Sequence, residues 1–167
     1  MEWNQVLEHP SLQNIPFKVE LNEWGKIVMT PASNLHGNLQ VKIAMKLIQL
    51  LNEGEVSAEV SIQTSKNVKV ADVAWASADF ISQHGFETPY SMAPEICVEV
   101  ISPDSAEEEL VEKRELYLAK GAKEVWFCDE SGEMEFFTYE GRIMESRICP
   151  DFPSNIYEPV DHINSSR

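Results

Sequence analysis

The stretch Pro94-Glu95-Ile96-Cys97-Val98-Glu99-Val100-Ile101-Ser102-Pro103 decides what kind of fold this chain adopts. It is an almost continuous apolar run bounded by prolines and rich in β-branched residues. Such a run fits a strand covered on both faces, as in a sheet with helices packed against it. Two acids interrupt it. Alternation along a strand places Glu95, Cys97, Glu99 and Ile101 on one face. A carboxylate in the middle of a buried strand is costly unless a charged partner meets it. Asp72 has the same setting, within Val70-Ala71-Asp72-Val73-Ala74-Trp75. Taken singly, each acid is explained by a satisfied core carboxylate or by an edge-strand group facing solvent.

The pattern extends outward in both directions. Downstream, Ser102-Pro103 ends the strand, and a helix is predicted from about Ser105 to Lys120 with Gly121 as its cap. Its first turn carries Glu107, Glu108 and Glu109, which suits the helix dipole. Leu110, Val111, Tyr117 and Leu118 form its apolar arc. Lys113 lies at the flank of that arc, one turn before Tyr117, placed so that it can reach inward over the strand ends. On periodicity alone the better reading is that Lys113 and Arg114 lay their stems on the core and keep their charges in water. Upstream, Phe17 to Met29 alternates around Glu23-Trp24-Gly25-Lys26 and predicts a hairpin. Leu35, Leu39, Ile43, Leu47 and Leu51 recur every four residues after a start at Pro31 and Ser33-Asn34, which predicts an amphipathic helix ending near Asn52-Glu53-Gly54. Strands are predicted over Glu55–Ile62, Lys69–Trp75, Lys123–Asp129, Glu133–Tyr139 and Arg142–Ile148. Phe152 and Ile156 are the expected anchors of the tail. This order predicts an α/β or α+β fold, a twisted mixed sheet flanked by two main helices.

With 167 residues, one domain spanning 1–167 is expected. Thirteen basic residues against 28 acids give a formal charge of −15. That balance argues against an electrostatic grip on nucleic acid, which depends on Lys and Arg releasing phosphate counterions. It argues equally against anionic membrane surfaces. Cys97, Cys128 and Cys149 lack disulfide or zinc spacing and read as core hydrophobes. The start carries no secretory pattern, and no apolar stretch approaches the ~20 residues that a bilayer demands. The expectation is a cytoplasmic protein with no membrane association.

Two strand carboxylates and a lysine are the parts of a definite kind of site. A hard divalent cation such as Mg²⁺ is commonly held by one or two carboxylates, waters and a substrate phosphate. It lowers the pKa of bound water and polarises the phosphoryl group. A lysine beside it orients the water or stabilises developing charge. Spacing leaves this assembly as one reading beside core acids and a solvated lysine.

The combination Val70-Ala71-Asp72-Val73-Ala74, then Pro94 to Pro103, then Lys113 with Tyr117, Gly121 and Glu124-Val125-Trp126, resembles the Uma-two family. These are restriction endonuclease domains of the PD-(D/E)xK nuclease superfamily. The opening from Phe17 to His36 and the ending around Phe152-Pro153 fit the family too, so the resemblance covers a core of about 17–156 with short extensions. It implies a restriction-endonuclease-like core and Mg²⁺- or Mn²⁺-dependent hydrolysis of DNA phosphodiesters by metal-activated water. It implies Asp72 and Glu99 as metal carboxylates and Lys113 as the catalytic lysine, moved to the helix because Ile101 occupies the superfamily's lysine position. Ala71 stands where the family usually has proline. Glu59, His36 and Tyr117 are accessory candidates. DNA is the implied substrate, bound weakly and through metal given the −15 charge, and a homodimer is expected. Two other readings suit the acidic surface: a non-catalytic protein-interaction domain on the same fold, and a hydrolase of small phosphorylated molecules. The helix acids of Ser105–Lys120 are expected on its exposed side, away from the cleft.

Overall fold

The computed structural model describes residues 1–158. In chain order its elements are α1 (Trp3–Glu8), β1 (Phe17–Leu21), β2 (Ile27–Pro31), α2 (Asn34–Leu50), β3 (Glu55–Thr64) and β4 (Asn67–Ala76). There follow α3 (Ala78–His84), β5 (Ile96–Val100), α4 (Glu107–Ala119), β6 (Glu124–Cys128), β7 (Met134–Thr138) and β8 (Gly141–Ile143). Strands β3 to β8 form one sheet in sequence order, and β1 and β2 form a separate hairpin. Every neighbouring pair is antiparallel except β5 and β6, which are parallel. A parallel pair needs a crossover rather than a tight turn, and α4 provides it.

The apolar pattern explains the layers. Leu39, Ile43 and Leu47 of α2 are fully buried and pack on Val73, Trp75, Ile96, Val98 and Trp126. Phe152 and Ile156 close the same core. Ser33 caps α2, its hydroxyl accepting from the His36 N–H. Across the sheet, Phe80 of α3 and Tyr117 of α4 cover Cys97, Val125 and Phe127. All five residues of β5 are buried, as the continuous apolar run requires. Trp3 and Val6 of α1 join Leu21, Val68 and Val70 in a third, smaller core.

Three local expectations change. Helices α1 and α3 were not predicted. Trp3 and Val6 stand about one turn apart, and two apolar residues suffice to bury so short a helix because the hairpin supplies the rest of its core. The strand expected over Arg142–Ile148 stops at Ile143. Beyond it the chain turns inward to a buried carboxylate. Glu124 accepts from the Ser146 hydroxyl (2.7 Å), from the backbone N–H groups of Arg147 and Ile148 (2.7 and 3.0 Å), and from the Trp126 indole (2.8 Å). Those donors are therefore spent on a side chain instead of a strand ladder. At the end of α4, Lys120 is the cap and Gly121 follows it at φ 104°. Among the described residues, no helix is long and apolar enough to cross a membrane.

Candidate active site

Strands β4 and β5 pair with Val73 opposite Val98. One more step along that register sets Asp72 beside Glu99. Both acids are buried, at 0% and 4% exposure. On the other flank of β4, Val73 pairs with Ala58 and Ala71 with Val60, an unshifted register that sets Glu59 opposite Asp72. Glu59 has φ 54°, a left-handed conformation within the strand. Gln40 of α2 donates to the Glu59 carboxylate (2.6 Å) and to the Asp72 carbonyl (3.3 Å).

Each carboxylate has one oxygen held by the scaffold and one turned to a cavity of about 310 Å³. Asp72 Oδ2 accepts the Val100 N–H at 2.7 Å. Glu99 Oε1 accepts the Tyr117 hydroxyl at 2.7 Å. The remaining oxygens meet cations. Lys18 Nζ lies 2.9 Å from Asp72 Oδ1 and 3.0 Å from Glu99 Oε2. Those two oxygens are therefore at most about 6 Å apart, close enough to share one cation. Lys113 Nζ is 3.1 Å from the same Glu99 oxygen and 2.9 Å from Glu20 Oε1. Glu20 also accepts the Val70 N–H at 2.8 Å. His36 Nε2 is 3.2 Å from Asp72 Oδ1.

Asp72, Glu99, Lys113, Tyr117 and His36 thus meet in one cluster. Glu59 does not: it touches Asp72 only through Gln40 and lines a neighbouring cleft. His36 does more than start its helix, because its ring turns onto Asp72. Lys18 and Glu20 belong to the cluster and were not foreseen. In a hairpin strand with Val19 and Leu21 as its apolar residues, Lys18 and Glu20 read as the solvent face. Here that face lies over the end of the main sheet. The helix acids also depart from expectation, since Glu109 and Glu112 line the cavity. Lys66 pairs with Glu112 and partly offsets its charge.

The electrostatics separate the two central acids. Burial pushes Asp72 upward, but its hydrogen bond with His36 and the pull of Lys18 hold it well below the usual carboxylate range. Burial also pushes Glu99 upward, and here Lys113 and Lys18 do not fully offset it, with Asp72 and Glu20 adding repulsion. Burial opposes the Lys18 charge, yet attraction by Glu99, Asp72 and Glu20 raises its pKa above the ordinary lysine value. Glu20 is lowered, burial being outweighed by Lys113 and Lys18. Hydrogen bonding to Asp72 raises His36 against the opposing effect of burial.

This geometry can be set beside known proteins. Residues 3–155 match the Uma2 family, described as "Putative restriction endonuclease". The chain belongs to the Uma2 family. A solved structure from Anabaena variabilis ATCC 29413, described as a "putative nuclease belonging to DUF820", superposes with TM-score 0.68 over 93% of this chain and 95% of that one. The two are 14% identical, so what they share is the fold: a mixed α/β architecture with a six-stranded sheet and flanking helices. No curated protein matches the sequence.

In this Uma2 chain, the donor set suits a hard divalent cation. Asp72 Oδ1 and Glu99 Oε2 already converge on a single positive charge, the Lys18 ammonium. Among the described residues, no trio of His, Cys, Asp and Glu is arranged to hold a metal ion.

Proposed function

We propose that this Uma2 protein is a metal-dependent endonuclease that hydrolyses DNA phosphodiester bonds. One observation carries the reading: Asp72 and Glu99, on adjacent strands, direct one oxygen each at a common cation position, with the Lys113 ammonium on the same Glu99 oxygen. Asp72 and Glu99 would hold Mg²⁺ or Mn²⁺, which when bound supplies an activated water and polarises the phosphoryl group. The rest is the work of the chain. Tyr117 fixes the Glu99 carboxyl by its hydrogen bond, and the Val100 N–H fixes that of Asp72. Lys113, anchored by Glu20 and Glu99, holds a positive charge over the cavity where the phosphate arrives. Its flexible stem lets it follow the charge that develops on the phosphoryl oxygens. His36, whose proton affinity is raised by its hydrogen bond to Asp72, stands at the rim of the same cavity.

The test is plasmid nicking with Mg²⁺ and with Mn²⁺. Wild type is expected to convert supercoiled to open-circular DNA only with metal. Asp72→Asn should abolish this, and Lys113→Met should slow it about 10²-fold or more. Activity that survives both substitutions would come from elsewhere. Absence of cleavage by wild type on any DNA would favour the non-catalytic reading, which the neutralising presence of Lys18 between the acids also suits.

We further propose that the active form is a homodimer, in which two sites cut two strands. Val41, Met45 and Ile48 stand exposed in a row on α2 and supply an apolar face for a symmetric contact. Light scattering should give twice 19.0 kDa; a value of 19.0 kDa at low micromolar concentration would contradict it.

A further inference from the structure

We propose that Lys18 is an internal competitor for the metal: its ammonium holds the cation position between Asp72 and Glu99, and a divalent ion binds only by exchange with it. This rests on the metal-dependent reading above. The geometry makes the exclusion strict. Asp72 Oδ2 and Glu99 Oε1 are committed to the Val100 N–H and the Tyr117 hydroxyl, both at 2.7 Å. Only Asp72 Oδ1 and Glu99 Oε2 face the cavity as a pair, and Lys18 contacts both, at 2.9 and 3.0 Å. Mg²⁺ binds oxygen at about 2.1 Å. An ion bridging these two atoms would therefore overlap the space of the ammonium and be repelled by it.

Lys113 contacts only one of the pair, Glu99 Oε2, and does not stand between them. It is also held by Glu20, so it can remain on that side of the cluster. Lys18 has somewhere to go. It lines both the site cavity and an adjoining cleft of about 470 Å³, which Glu59 also lines. Its strand belongs to the two-stranded hairpin, so moving its side chain breaks no hydrogen bond of the six-stranded sheet. The charges also favour an exchange over an addition. Glu20, Asp72 and Glu99 face Lys18 and Lys113, leaving His36 aside. Replacing one ammonium by a divalent ion brings that set from one net negative charge to neutrality. The apparent metal affinity is then the intrinsic affinity reduced by the fraction of molecules with Lys18 withdrawn. Lys18 acts here as a positioning residue that keeps the metal-free acids compensated and sets the metal concentration at which the site loads.

Calorimetric titration of Mn²⁺ into the whole protein tests this without reference to cleavage. Lys18→Gln retains a hydrogen-bond donor and removes the charge. It should bind Mn²⁺ at least about tenfold more tightly than wild type, and adding Asp72→Asn should abolish binding in both backgrounds. Equal or weaker binding by Lys18→Gln overturns the proposal while leaving the metal site intact. Failure of both proteins to take up Mn²⁺ removes the metal-dependent reading together with the proposal. Should Lys18→Gln not fold, reductive methylation of wild type, mapped by mass spectrometry, decides the matter. Lys18 is expected to be protected in metal-free protein and modified when calorimetry shows saturation with Mn²⁺. Unchanged protection at saturation overturns the proposal.

Discussion

Asp72 and Glu99 sit side by side on neighbouring strands, yet their surroundings treat them differently. Asp72 is met by a backbone N–H, Lys18 and His36, and stays ionised. Glu99 lies among other acids, and burial keeps its proton affinity high. Such a separation of two close carboxylates recurs where one must stay charged and the other adapt to it. The fixed ends of both groups are structural and can be tested as such. Tyr117→Phe removes the hydroxyl that serves Glu99 Oε1 and should cost about 2 kcal/mol in urea unfolding. Metal-dependent nicking should fall with it, because the carboxylate loses its orientation. A Tyr117→Phe protein as stable as wild type would show that this hydrogen bond is replaced by another donor.

At the scale of elements, three devices assemble the cluster: a hairpin, helix α2 and a crossover helix. The hairpin brings Lys18 and Glu20 to Asp72 and Val70 of β4, and α2 sets His36 and Gln40 beside Asp72. The crossover helix α4 carries Lys113 and Tyr117 back over β5. These elements depend on ordinary determinants. Ser33→Ala removes the cap of α2 and should destabilise the protein by about 1 kcal/mol, with a matching drop in Tm. Ile43→Ala, at a fully buried position facing the sheet, should cost about 2–5 kcal/mol. The segment after β8 is tied down by Glu124 alone among buried acids of that region. Glu124→Ala would strand the Ser146 hydroxyl and the N–H groups of Arg147 and Ile148. It should cost about 3 kcal/mol or more, with early loss of amide protection at residues 146–149 in hydrogen exchange. Protection unchanged there would mean that the loop is held by other contacts.

For the molecule as a whole, the charge of −15 bears directly on the proposed binding of DNA. The acids of α4 do not all face away, since Glu109 and Glu112 line the cavity. A duplex approaching the metal-free protein meets repulsion at the site itself. Fluorescence anisotropy should therefore show weak, salt-sensitive binding that requires metal. A tight metal-free complex would contradict this distribution of charge. We also propose that the chain unfolds as one cooperative unit, because α2, the sheet and the tail anchors Phe152 and Ile156 share one core. Two separated calorimetric transitions would contradict that.

The sequence by itself determined the sheet, its two long helices and the pair Asp72 and Glu99. Those follow from local pattern: apolar periods of two and four, a capping serine, and acids set in apolar runs. Helical spacing set Lys113 one turn before Tyr117, but only the family resemblance gave that lysine a place in the site. Only the tertiary structure decided that Lys18 and Glu20 share the site, that Glu59 stands beside it, and that Glu109 and Glu112 look into it. The reason is physical. Which face of a polar hairpin meets the rest of the molecule depends on where the hairpin docks, not on its own alternation. The left-handed backbone at Glu59 (φ 54°) is set by the packing around it, not displayed by the alternation of its own strand. Lys18 is separated from its partners by 54 and 81 residues. Its charge has meaning only once folding sets it between two buried carboxylates.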